Sequence, residues 1–119
     1  MSAARQATVL VLESSAAVQE LIDQALRESG HRVLSTGNSL EALELVRRVR
    51  IDVLVVGDVA ENHTETLVSE LRASQPSLAV VSVGGRDKAL SLIDLRARLS
   101  SPVSLDDLLA AVAAPADEA

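Results

Sequence analysis

Along the chain, short continuous apolar runs alternate with longer stretches in which apolar residues recur every three or four positions. The runs Ala7–Leu12 (ATVLVL), Ile51–Val56 (IDVLVV) and Leu78–Val83 (LAVVSV) have the length and β-branched content of strands buried on both faces of a parallel sheet. His31–Ser35 (HRVLS) predicts a shorter strand, and Arg96–Ser100 a weak fifth. Between the first two runs, Val18, Leu21, Ile22, Ala25 and Leu26 recur at helical spacing, with Gln19, Glu20, Asp23 and Glu28 opposite. This predicts a helix over 16–29. Serine after Glu13 supplies an N-cap hydroxyl, and Gly30 supplies the left-handed residue at the other end.

The pattern then repeats. Asn38 and Glu41 have capping-box spacing ahead of an apolar face of Leu40, Leu43, Val46 and Val49. A third helix carries Leu67, Val68 and Leu71 and ends at Pro76; a short fourth spans 88–95 through Leu92, Ile93 and Leu95. Ser104 caps a fifth, with Leu105, Leu108, Leu109 and Val112 on one face and Pro115 as its stop. Strict alternation of strand and helix implies an α/β fold, a doubly wound (βα)5 parallel sheet with helices on both faces. Strand order 2-1-3-4-5 is one of its two common forms, and periodicity alone does not select it. The boundaries predict one domain over 7–114, with 115–119 a disordered tail or the start of a linker.

Composition narrows the function classes. The chain has 119 residues, enough for one domain with a real core. It contains no Phe, Tyr or Trp, so that core is aliphatic and offers no stacking platform for single-stranded nucleic acid. A net charge of −6 argues against a nucleic-acid or anionic-membrane surface. Arg47, Arg48 and Arg50 crowd the end of the second helix, where cations offset the helix dipole. The lack of cysteine removes disulfides and thiolate metal sites and fits a cytoplasmic setting. Met1–Ala7 leads into no apolar stretch long enough for a signal peptide or membrane span.

Four strings resemble the receiver domain of response regulators, the phosphoacceptor module of bacterial two-component signalling. VLVLESS at Val9–Ser15 stands where that family has a strand ending in an acidic pair. SLEALELVRRVRIDVLVV at Ser39–Val56 is similar to its second helix and third strand, LAVVSVGGRD to its fourth strand, and SSPVSLDDLL at Ser100–Leu109 to its Lys-Pro turn and last helix. The resemblance runs from about Thr8 to Val112. It implies a CheY-like fold and a mechanism in which paired carboxylates hold Mg²⁺ and an Asp ending the third strand accepts a phosphoryl group. A Thr or Ser and a Lys then bind the phosphoryl oxygens, and an aromatic on the fifth strand moves with them.

Position by position, that machinery is absent. Glu13 and Ser14 replace the acidic pair, and Gly57 stands at the acceptor position. Gly84 stands for the Thr or Ser, Ser101 for the Lys, and Arg98 for the aromatic. Pro102 is kept, and the resemblance implies a cis bond before it. Asp58 is the alternative acceptor, but alternation along a strand turns it away from the cleft unless the chain bulges at Gly57. A weak metal site from Glu13 and Asp58 is the accompanying alternative, against a solvated acidic cleft. Asp58, Glu61 and His63 match no metal spacing, His31 has no partner for a triad, and Ser14, Ser82 and Ser101 lack a base in sequence reach.

The expectation is therefore a pseudo-receiver: no enzyme, no cofactor, no metal, acting through a protein partner or a homodimer. The expected contact face is formed by the fourth helix, fifth strand and fifth helix, as receivers commonly pair. The alternative is a working phosphoacceptor using Asp58 with Mg²⁺.

Overall fold

The computed structural model describes residues 7–57, 64–84, 97–100 and 104–113. Five parallel strands form one sheet: β1 (Thr8–Leu12), β2 (Arg32–Thr36), β3 (Val53–Val56), β4 (Ala79–Gly84) and β5 (Ala97–Ser100). Their order is β2-β1-β3-β4-β5, the form that periodicity left open. The helices are α1 (Ala16–Glu28), α2 (Ser39–Arg48), α3 (Thr64–Ser74) and α4 (Leu105–Ala113). The helix expected over 88–95 lies outside the described residues, so the predicted fifth helix is α4.

Strand alternation divides the core in two. Leu10, Leu12, Leu54, Val56 and Val80 face α2 and α3, meeting Ala42, Val46, Leu67, Val68 and Leu71. Val9, Val11, Val53, Val55, Val81 and Val83 face α1 and α4, meeting Ile22, Leu26, Leu108 and Val112. Every residue from Val9 to Leu12 and from Val53 to Val56 is buried, as continuous apolar runs require of central parallel strands.

The helix ends follow local chemistry. Ser15 Oγ accepts from the Val18 N–H at 3.4 Å. At the other end Gly30, at φ +93°, lets its own N–H reach Arg27 O at 3.0 Å and the His31 N–H reach Leu26 O at 3.1 Å, a Schellman closure. The α2 box is half formed: Asn38 Oδ1 accepts from the Glu41 N–H at 3.0 Å, but the Glu41 carboxylate takes the Thr36 hydroxyl instead. Thr36 Oγ1 in turn accepts from the Asn38 N–H at 3.0 Å.

Four expected apolar-face positions are corrected, Val18 and Leu105 being exposed as well as the two leucines that follow. Leu40, at the start of α2, is 74% exposed, and Leu21 on α1 is 59% exposed. The buried stripe of α2 runs through Ala42 and Val46, with Leu43, Leu45 and Val49 at its edges.

Candidate functional site

The chain leaves β1 toward β2 on one side and returns to β3 on the other, so the carboxyl ends of β1 and β3 flank the topological switch point. Open parallel sheets bind ligands there. Leu12 and Val56 are register partners, and the Gly57 N–H continues the ladder to Leu12 O at 2.9 Å. Glu13 and Gly57 therefore follow side by side, on the face already defined by Val9, Val11, Val53 and Val55.

Glu13 is only 3% exposed. Its backbone is held on both sides: its N–H donates to Thr36 O at 3.0 Å, and its carbonyl accepts from Gln19 Nε2 at 2.9 Å. Its carboxylate Oε2 accepts from the Ser15 N–H at 2.9 Å. The other carboxylate oxygen projects over Gly57: a Cβ built on that glycine would overlap Glu13 Oε1 and lie 3.0 Å from the Glu13 carboxyl carbon. Gly37 meets the same residue from β2, where a Cβ would come within 3.0 Å of Glu13 O.

Solved receiver domains share the fold of this chain. The signal receiver domain of an HD domain-containing protein from Pseudomonas fluorescens Pf-5 matches with TM-score 0.79 at 19% identity, over 91% of this chain and 92% of that one. The receiver domain of sensor histidine kinase PA1611 from Pseudomonas aeruginosa PAO1 matches with TM-score 0.76 at 18% identity, over 90% and 94%. This is the receiver-domain fold. In sequence, the probable transcriptional regulatory protein TcrX of Mycobacterium tuberculosis is 28% identical over 81 residues, 67% of this chain. Those residues are 35% of TcrX, so the chain spans about a third of the curated relative it matches. No protein-family model matches the chain.

Within the receiver fold, the expected site positions separate into those that meet and those that do not. Glu13, Ser14 and Gly57 lie at the switch point. Gly84 ends β4 in register with Ser100, and Arg98 of β5 is in register with Ser82. Asp58, Ser101 and Pro102 lie outside the described residues, as do Glu61, His63 and the tail. Of the two carboxylates expected in a solvated acidic cleft, Glu13 is instead buried, with room beside β1 at Gly57 and the Ser15 N–H on its carboxylate.

The PA1611 receiver holds a magnesium ion coordinated in its active-site cleft. Of Glu13, Ser14 and Gly57, Glu13 alone carries a carboxylate. A hard divalent cation needs several oxygen ligands, whereas position 14 carries a hydroxyl, position 57 no side chain, and the Glu13 carboxylate already accepts from a backbone N–H. Among the described residues no group of three or more His, Asp or Glu side chains converges.

Sequence reasoning passed over Gln19, Thr36 and Gly37, which fix Glu13 in place. The Thr36-Gly37-Asn38 turn was the available signal, since glycine after a strand marks close backbone approach. His31, set aside as lacking a triad, is buried, with Nδ1 accepting from the Ala7 N–H at 3.0 Å. The arginines at the end of α2 are surface groups: Arg47 and Arg48 pair with Glu44 at 3.9 and 3.4 Å, and Arg50 with Asp52 at 3.9 Å.

Proposed function

We propose that the chain is a signalling module of receiver fold that acts by binding a protein partner and not by accepting a phosphoryl group. The observation that carries this reading is the buried Glu13 carboxylate lying in the space that a side chain at position 57 needs. Phosphoryl transfer to a carboxylate requires a nucleophile presented at the strand end and cationic groups to balance the arriving charge. Here glycine follows the strand, and serine stands where the resemblance places the lysine. A relative described as a probable transcriptional regulatory protein suits a domain that passes a signal onward.

On this reading the chain is no enzyme, needs no cofactor and works in the cytoplasm. No helix among the described residues is long and apolar enough to cross a membrane. The partner, or a second copy, docks on the face that includes β5 and α4.

The test is incubation of the purified chain with Mg²⁺ and acetyl phosphate, followed by intact-mass measurement. The expected result is an unchanged mass. An added phosphoryl mass that disappears in Asp58→Asn would establish the phosphoacceptor alternative instead. For the contact itself, a strictly monomeric elution together with an empty pull-down from source lysate would count against a binding role.

A further inference from the structure

Glycine is required at a position either because the backbone adopts a left-handed conformation or because nothing larger fits. At Gly57 the first reason does not apply. Among the described residues only Gly30 has a positive φ, so the backbone at 57 is one that any L-residue adopts. The second reason does apply, and the obstacle is a single side chain. All three nearest atoms to a Cβ built at 57 belong to Glu13: Oε1, the carboxyl carbon at 3.0 Å and Cβ at 3.5 Å.

A carboxylate at the tip of a flexible side chain would ordinarily swing aside. This one is restrained. Its backbone is tied to Thr36 and Gln19, its Oε2 to the Ser15 N–H, and the residue is almost wholly buried. Withdrawing it would break the hydrogen bond that caps the turn into α1 and leave a void beside the sheet. Both losses are costly in a packed interior.

We infer that Glu13 and Gly57 form a matched pair in which β1 supplies the carboxylate at the end of β3, closing the cleft to any side chain or phosphoryl group at position 57. Glu13 is thus the residue that determines what the cleft admits. This deepens the reading of the chain as a module that works without phosphoryl transfer, and rests on it. A corollary is that Gly57→Asp alone does not rebuild an acceptor site, since the new carboxylate and Glu13 compete for one space.

The test is a double-mutant cycle read by urea denaturation with far-ultraviolet circular dichroism, a signal that needs no aromatic residue. Gly57→Ala is made in the natural chain and in two backgrounds, Glu13→Ala and Glu13→Asp. The second keeps the charge and an acceptor for Ser15 while withdrawing the carboxylate by one methylene. In the natural chain, Gly57→Ala is expected to lower the folding equilibrium constant about ten-fold, the scale of overpacking in a tight site. In the shortened backgrounds the same change is expected to be neutral or stabilising, because alanine restricts the unfolded chain more than glycine does. Should Glu13→Ala fail to fold, Glu13→Asp decides alone. An equal cost of Gly57→Ala in every background that folds would overturn the pairing. The acetyl phosphate experiment is separate: a phosphorylated natural chain would refute the proposed function without touching the cycle, and an uncoupled cycle would refute the pair without phosphorylating anything.

Discussion

His31 and Ala7 join the start of β2 to the start of β1 through a bond that exists only while the imidazole is neutral. Nδ1 accepts from the Ala7 N–H at 3.0 Å, and a protonated ring has no lone pair to offer. Burial pushes the His31 pKa below its ordinary value of about 6.5. Between the lowered folded value and the unfolded one, the unfolded chain binds more protons. The His31 contribution is therefore complete above about pH 6.5 and is lost as pH falls through the folded pKa. A lower urea midpoint near pH 5.5 than near pH 7.5 is expected, with the part due to His31 abolished in His31→Gln. An unchanged pH dependence in that variant would contradict the assignment.

Gln75 makes three hydrogen bonds with one amide. Oε1 accepts from the Ile51 N–H at 2.8 Å, and Nε2 donates to Val46 O and Val49 O, both at 2.7 Å. The group knits the end of α2 and the approach to β3 to the residue after α3. Gln75→Ala strands all three backbone groups, and a loss of about 2–3 kcal/mol is expected. Gln75→Glu keeps the acceptor but turns a carboxylate toward two carbonyls. Near neutral pH it is expected to be at least as damaging as alanine, in the same denaturation measurement.

Gly30 provides a purely backbone test. Nothing lies within 4 Å of a Cβ built there, yet φ is +93°. Gly30→Ala is expected to cost about 1 kcal/mol and Gly30→Asn less, since asparagine tolerates left-handed backbone. A neutral Gly30→Ala would mean that the Schellman turn relaxes without penalty.

Leu54 and Leu40 separate burial from hydrophobicity. Leu54 is wholly buried in β3, and Leu40 is 74% exposed. Leu54→Ala is expected to destabilise by about 3 kcal/mol, whereas Leu40→Ala should stay within about 0.5 kcal/mol. Comparable effects at both positions would show that Leu40 is covered in solution.

The contrast between those leucines also marks how far the fold was legible. β1 and β3 could be read because a strand buried on both faces leaves an unbroken apolar string, and the α1 caps because serine and glycine act within a few residues of themselves. Leu40 was misplaced because it stands at the first turn of α2, beyond the reach of the sheet, although its spacing fits the stripe. The site was legible only as positions. That Gly57 stands beside Glu13 follows from register, but burial of the Glu13 carboxylate depends on an absent side chain 44 residues away, which no local pattern encodes. Gln75 left no sequence signal, being one more polar residue before a proline.

Among the described residues the hydrophobic clusters on the two faces consist of leucine, valine, isoleucine and alanine, and the chain contains no aromatic residue. The protein is therefore nearly transparent in the near ultraviolet and has no intrinsic tryptophan or tyrosine fluorescence. A single tryptophan placed at exposed Leu40 would emit against a dark background, even in a mixture with a non-fluorescent partner. Partner docking could then be watched by light from one side chain.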